Sequence, residues 1–268
     1  MKALWLPVLI PAALLTWPLL LYPGRPRSIA PFDRLPIAHR GLHTGTAEAP
    51  ENTLPAFRRA RQAGVAVELD IRLTADRQVV VVHDNELTRL CGTHARVSAL
   101  SYAQLCRLPV LGSTAHIPLL RDVLAALGDT PVVCELKQGG RALYTAAWPL
   151  LAAYPGALCI ESFDPRTLYW FRRHHPQVRR GLLAMHPCLR RGQPLSMLLT
   201  NLLTRPDFIA YRFRDRPELS VRLCRWLYHP PMLAWTLRTQ QEQRAAEAQG
   251  FTGCIFEGYR PTEPFHHR

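Results

Sequence analysis

Lysine is almost missing from this chain, with Lys2 and Lys137 the only two. The rest of its 33 basic residues are arginines, and against 20 acidic residues they leave a formal charge of +13. An excess of that sign favours an anionic partner, whether phosphate, acidic lipid or nucleic acid, without choosing among them. The scarcity also singles out Lys137. A C-x-x-C pair is lacking too, and the seven cysteines (Cys91, Cys106, Cys134, Cys159, Cys188, Cys224 and Cys254) are odd in number. That argues against a zinc ribbon and against a complete internal disulfide framework. Cys134, Cys159 and Cys254 sit in apolar runs, where cysteine behaves as a small hydrophobe. There is no internal repeat and no low-complexity tract, which excludes a solenoid. At 268 residues and 48% hydrophobic content, the chain is rich enough for one large core and too rich for a disordered protein.

Charge is absent from Leu4 to Leu21. With its flanks this run is about as long as the ~20 residues that cross a bilayer as a helix. It is read as an uncleaved N-terminal transmembrane anchor, a signal peptide being the alternative, because the one A-x-A-like site, Ser28-Ile29-Ala30, precedes Pro31. Residues 22–27 then read as a linker with Arg25 and Arg27 among the headgroups. The expected division is 1–34 anchor and linker, 35–268 catalytic domain. Arg25, Arg27 and Arg34 outnumber the positive charges before the run, which places the single-pass protein in the cell membrane with its domain on the cytoplasmic side.

Beyond the linker, short β-branched or apolar runs alternate with helical segments: Leu35 to Ala38, Val65 to Leu73, Val79 to His83, Val132 to Lys137, Leu158 to Phe163, Gly181 to Ala184, Phe208 to Tyr211, Met232 to Leu237 and Gly253 to Glu257. Alternation of this kind implies a parallel sheet, and about eight strands in such a length fit an α/β TIM (β/α)8 barrel. A helix is expected from Thr53 to Ala63, capped by Asn52 or Thr53 and ended by Gly64. The stretch from Tyr102 to Gly112 fits either a small insertion or a barrel helix.

Period-two alternation in Val65 to Leu73 puts Glu68, Asp70 and Arg72 on one face and the apolar residues on the other. In a barrel the acidic face points inward near the catalytic rim. Two such carboxylates need a compensating cation or arginine, and hard oxygen donors suit Mg²⁺ or Ca²⁺; a salt-bridge stripe with Arg72 is the competing reading. Glu135 and Lys137 repeat the arrangement on Val132 to Lys137, where Lys137 either meets a phosphoryl oxygen or neutralises Glu135. His39 and His83 lie at strand ends, and histidine is suited to acid and base work near neutrality.

His39-Arg40-Gly41, Pro50-Glu51-Asn52-Thr53-Leu54-Pro55-Ala56-Phe57, Glu68-Leu69-Asp70-Ile71, Val81-Val82-His83-Asp84 and Glu135-Leu136-Lys137 follow in order. Together they resemble the motif set of the glycerophosphodiester phosphodiesterase family. The similarity runs on through Ile117-Pro118-Leu119-Leu120, Glu161-Ser162-Phe163-Asp164, Trp235-Thr236 and Glu257-Gly258. The resemblance implies a metal-dependent TIM barrel that cleaves glycerophosphodiesters to glycerol 3-phosphate and an alcohol. It makes Glu68, Asp70 and Glu135 ligands of a divalent cation, Mg²⁺ or Ca²⁺ with Mn²⁺ as a third candidate. His39 and His83 become the acid/base pair, and Arg40 and Lys137 the phosphate contacts. Glu51 and Asn52 are expected to orient Arg40 and the first loop, and Trp235 to stand at the rim. The chain departs from the family pattern where Thr236-Leu237-Arg238 follows Trp235 without asparagine, and where Glu257 replaces the usual aspartate. Both departures bear on substrate choice.

Competing readings are lysophospholipase D-like hydrolysis of membrane lysolipids and a non-catalytic anchored barrel that binds lipid. Despite arginine pairs such as Arg172-Arg173, Arg179-Arg180 and Arg190-Arg191, no nucleic-acid motif is present, so no nucleic-acid partner is expected. Nothing in the sequence sets an oligomeric state.

Overall fold

The computed structural model of the chain describes residues 16–25, 27–137, 139–186, 197–263 and 265. Nine strands form one sheet: β1 (Ile37–Ala38), β2 (Ala66–Leu73), β3 (Val79–Val81), β4 (Val132–Leu136), β5 (Leu158–Ser162), β6 (Arg179–Ala184), β7 (Phe208–Arg212), β8 (Met232–Leu237) and β9 (Gly253–Phe256). All but β3 run parallel. Because β1 pairs with both β2 and β9, the eight parallel strands close into the expected barrel. β3 pairs antiparallel with β2, from Ile71↔Val81 to Leu73↔Val79, and stands outside the closed ring. The alternating run that reads as a ninth barrel strand is therefore the return arm of a hairpin.

The main outer helices are α1 (Leu54–Gln62), α2 (Leu120–Leu127), α3 (Gly140–Ala152), α4 (Pro165–His174), α5 (Leu219–Tyr228) and α6 (Gln240–Ala248). Val67, Leu69 and Ile71 of β2 pack outward with Phe57, Leu120, Leu124 and Leu143 of the first three. α1 matches its expected bounds, but not its expected cap. The Thr53 hydroxyl donates to the Pro50 carbonyl, 2.6 Å, and neither Asn52 nor Thr53 caps the helix with its side chain. Asn52 is drawn away by a partner inside the barrel. Residues 102–112 belong to an insertion between β3 and α2, with its own small core of Val80, Val82, Leu87, Leu105, Val110 and Leu119.

No helix among the described residues is long and apolar enough to cross a membrane. Most of the Leu4–Leu21 run lies outside those residues. Its end does not continue as free membrane helix: Leu21 is buried in the core beside Val221 and Cys224, and Trp17 packs on the same cluster. Arg27, expected among headgroups, holds the buried Asp207 through Nη2, 2.6 Å, and donates to the Val178 carbonyl, 2.9 Å. An apolar run carries the same pattern whether lipid or protein covers it, and here protein covers Leu21. Cys91, Cys106, Cys134, Cys159, Cys224 and Cys254 are free thiols, four of them buried, as their apolar surroundings imply; Cys188 lies outside the described residues.

Candidate active site

Two layers of side chains fill the barrel lumen. The lower one is apolar, with Ile37, Ala66, Val133, Cys159, Phe208, Leu233 and Ile255 in one cluster. Since successive inward positions on a strand are two residues apart, the next layer toward the strands' C-terminal ends holds His39, Glu68, Glu135, Glu161, Trp235 and Glu257. These residues except Glu257, with Arg40, His83, Lys137 and Phe163, line a cavity of about 540 Å³ at the face where barrel active sites lie.

Glu68, Asp70 and Glu135 converge as expected, each buried, with donor oxygens all within 4.8 Å of one another. Burial, then the charges of Asp70, Glu161 and Glu135, raises Glu68 well above the ordinary carboxyl range. Burial pushes Glu135 up to about 7, opposed by Lys137. Burial acts the same way on Asp70, but the neighbouring Lys137 and Arg40 hold it well below its ordinary value. The Lys137 ammonium lies 2.7 Å from Asp70 and 2.6 Å from Glu135. Of its two expected roles, neutralising the acids is the one visible here. One ammonium and a guanidinium shared with Glu51 leave the three acids under-compensated, and an all-oxygen donor set fits a hard divalent cation.

Arg40 sits in left-handed backbone geometry, φ 56°, which turns its N–H onto Glu68 at 2.9 Å. Its guanidinium donates to Glu51, 2.7 Å, and its Nε lies 3.5 Å from Asp70. Glu51 therefore orients Arg40 as expected, with Arg89 as its second partner. Asn52 does something else. Also left-handed at φ 55°, it donates its amide to Asp70 at 2.8 Å and so orients a member of the acidic trio. Arg72 turns from the acids to donate to the His83 carbonyl, 2.8 Å, which removes the salt-bridge-stripe reading.

Both histidines are reached through Nδ1 by a carboxylate, His39 by Glu257 at 2.8 Å and His83 by Asp84 at 2.6 Å. Glu257 is held down to about 2, chiefly by that hydrogen bond, and Asp84 is also lowered, by Arg89 and His83 against burial. Both are thus carboxylates, so Nδ1–H donates. Burial lowers His39 and brings His83 to about 4, which leaves the imidazoles neutral with the lone pair on Nε2. His39 Nε2 is 4.0 Å from Glu68. His83 stands beyond the end of β3 on the hairpin, and not on a barrel strand. Trp235 is at the rim as expected; its indole donates to the Ala210 carbonyl, 3.0 Å, and its ring meets Phe163 edge-on at 5.7 Å.

Three residues of the site carry roles that the sequence reading missed. Glu257, read as a rim substitution, orients His39; its signal was the strand-end carboxylate. Asp84 does the same for His83 and is simply its chain neighbour. Glu161, 1% exposed, faces the lumen with Oε2 lacking a hydrogen-bond partner, and its alternation with Cys159 and Phe163 was the available signal.

A closed parallel barrel thus gathers three buried carboxylates and two carboxylate-held histidines at the face where barrel active sites lie. More narrowly, residues 39–257 match the Glycerophosphoryl diester phosphodiesterase family, and the chain belongs to that family. Lysophospholipase D GDPD1 of Rattus norvegicus is 37% identical over 131 residues, covering 44% of this chain and 41% of the relative. A glycerophosphodiester phosphodiesterase of Caldanaerobacter subterraneus subsp. tengcongensis is 29% identical over 163 residues, covering 56% of this chain and 66% of that one. The chain thus spans about two fifths of the length of the lysophospholipase D relative and just under two thirds of the other. Among solved structures, a phosphodiesterase of Oleispira antarctica in complex with the product sn-glycerol-3-phosphate superposes with TM-score 0.71 at 22% identity, over 84% of this chain and 94% of that one. A glycerophosphodiester phosphodiesterase of Thermotoga maritima gives 0.67 at 24%, with the same coverage. At such identities these structures establish the fold.

Proposed function

We propose that this chain hydrolyses glycerophosphodiesters to glycerol 3-phosphate and an alcohol, using a divalent cation. The observation that carries the reading is the convergence of Glu68, Asp70 and Glu135, of which Glu68 and Glu135 line one cavity with two histidines whose Nε2 atoms carry the lone pair. Glu68, Asp70 and Glu135 are the residues that would hold the ion, Mg²⁺ or Ca²⁺ on donor chemistry. When bound, such an ion supplies Lewis-acid neutralisation of the phosphoryl charge.

The chain's own groups do the rest. His39 Nε2 takes a proton from the nucleophile, water or the substrate's own glycerol 2-hydroxyl, and Glu257 stabilises the imidazolium; attack by the hydroxyl gives a cyclic phosphate, which water then opens to glycerol 3-phosphate. His83, on the more exposed hairpin, gives a proton to the leaving alkoxide. For that its basicity has to rise from about 4, which burial imposes and Lys137 and Arg40 deepen. An anionic diester in the cavity acts in the required direction, because it brings negative charge and engages both cations. Arg40 and Lys137 then stabilise the phosphoryl oxygens. Asn52 fixes the Asp70 carboxylate, and Trp235 with Phe163 forms an apolar wall for the alcohol portion.

Hydrolysis of a lysolipid is the second reading, favoured by the lysophospholipase D relatives and by that wall. Membrane attachment through the N-terminal region belongs to the same account, on the cytoplasmic face of the cell membrane. Turnover of glycerophosphocholine and lysophosphatidylcholine, compared with and without divalent cation, tests the function. Choline release from the first in preference separates diesterase from lysophospholipase D, and release from neither overturns both. An alkaline-phosphatase fusion after His267 tests the side: activity there places the barrel outside the cytoplasm and overturns that part.

A further inference from the structure

The three acids and Lys137 stand on β2 and at the end of β4. In the closed ring, whose order is β1-β2-β4-β5-β6-β7-β8-β9, β7 and β8 lie opposite those two strands. The far wall of the cavity is therefore built by β7 and β8, and its charge is mainly positive: Arg212, Arg214 and Arg238 line it against a single acid, Asp215. Alternation along β7 explains the first two. Phe208 and Ala210 belong to the floor cluster, so Arg212 takes the next inward level, and Arg214, just past the strand, continues the series. Arg212 is also the register partner of Trp235, which sets the arginines beside the aromatic wall. Arg238 follows the end of β8.

Local acids place these guanidiniums without using up their donors. Arg212 Nε donates to Asp215, 2.9 Å, and Arg214 Nη2 to Glu242, 3.2 Å. The same Glu242, on α6, accepts the Arg238 backbone N–H at 2.6 Å, so one carboxylate brings the Arg214 side chain and the Arg238 backbone together. The Arg238 guanidinium reaches Glu257 only at 3.6 Å, and Glu257 is already the partner of His39. Among the described residues each guanidinium thus meets an acid through one nitrogen, whereas each carries five N–H donors. A planar fork with donors to spare suits the oxygens of a phosphate and repels a cation. The repulsion bears on Trp235, whose ring by itself would suit a quaternary ammonium through cation–π attraction. Three guanidiniums on the same wall oppose that occupant.

We propose that Arg212, Arg214 and Arg238 form a second anion subsite, which selects glycerophosphodiesters whose alcohol bears a further phosphate over those whose alcohol is cationic. With the scissile phosphoryl group against Arg40 and Lys137, the alcohol crosses the lumen past Trp235 and Phe163, and its own phosphate meets the arginines of the far wall. The subsite rests on the diesterase reading above and names the substrate class within it.

The test follows release of glycerol 3-phosphate by the full chain, supplied with divalent cation, from glycerophosphoinositol, its 4-phosphate and glycerophosphocholine. The first two differ only in the added anionic group. In wild type kcat/KM for the 4-phosphate should exceed that for glycerophosphoinositol about tenfold, equivalent to about 1.4 kcal/mol, with glycerophosphocholine the poorest of the three. High salt should shrink the preference. The Arg214 and Arg238 side chains are 58% and 47% exposed, so replacing them opens no core. Arg214→Gln/Arg238→Gln should bring the ratio close to one, and Arg214→Glu/Arg238→Glu should invert it. Reading a ratio cancels any change that Arg238 passes through Glu257 to His39. A wild-type ratio near one, or a preference that survives both double substitutions, overturns the subsite and leaves the diesterase reading standing. Release from none of the three diesters overturns that reading and the subsite with it.

Discussion

Within the lumen, a step of two residues along a strand separates two kinds of structure. Ile37, Ala66, Val133, Cys159 and Ile255 make a dry floor, and His39, Glu68, Glu135, Glu161 and Glu257 stand directly above them. The floor is held by burial alone. The layer above is charged, costly to bury, and supported by specific partners: Asn52 on Asp70, Glu257 on His39, Asp84 on His83 and Lys137 between two acids. The floor excludes water beneath the acids, and that desolvation is the leading cause of the upward shifts of Glu68 and Glu135. Folding and function are thus divided by height in one barrel, and substitutions in the two layers should fail in different ways.

The sharpest contrast comes from Glu68→Gln, Asp70→Asn and Glu135→Gln. Each should cut turnover about 10³-fold, the scale of losing a principal electrostatic group. Thermal unfolding should stay level or rise for Glu68→Gln and Glu135→Gln, which remove a repelling buried charge and not core volume, and fall modestly for Asp70→Asn, whose charge Lys137 and Arg40 stabilise. A large fall in Tm alongside the activity would make the acids structural. His39→Ala and His83→Ala should each cost about 10²-fold in kcat, measured with glycerophosphocholine. His83→Ala should recover on a p-nitrophenyl diester, whose leaving oxygen departs without a proton, whereas equal loss on both substrates removes the acid role. Glu257→Gln keeps the size of the side chain but weakens the support of the imidazolium. About tenfold in kcat is expected with KM little changed, equivalent to about 1.4 kcal/mol. On the floor, Ile37→Val should cost only about 0.5–1.5 kcal/mol in denaturant unfolding. Its kcat should stay near wild type; a selective loss of activity there would show that the two layers are not separable.

This division was partly legible in the sequence. Val-Glu-Leu-Asp-Ile in β2 and Val-Cys-Glu-Leu-Lys at β4 display the inward acids directly, because a strand's period maps onto faces without tertiary information. The alternation of strands and helices likewise led to the barrel. What failed to show was pairing across the chain. Glu257 is 218 residues from His39 and meets it only when β9 closes against β1. Asn52 read as a helix cap because its left-handed backbone, which aims it at Asp70, has no signature in composition. β3 has the same valine-rich pattern as a barrel strand, and only its pairing partner shows it to be antiparallel. Leu21, at the end of the apolar N-terminal run, packs in the barrel's own core, because hydrophobicity records burial and not what does the burying.

Turnover of glycerophosphocholine by the full chain, after exhaustive chelation and then with Mg²⁺, Ca²⁺ or Mn²⁺ restored, tests the account most directly. Three under-compensated carboxylates above a dry floor should leave the chelated protein folded and inactive, with activity returning on addition of at least one of the ions and failing to return in Asp70→Asn. Undiminished hydrolysis by the chelated protein would contradict the reading of the charged layer as a cation site.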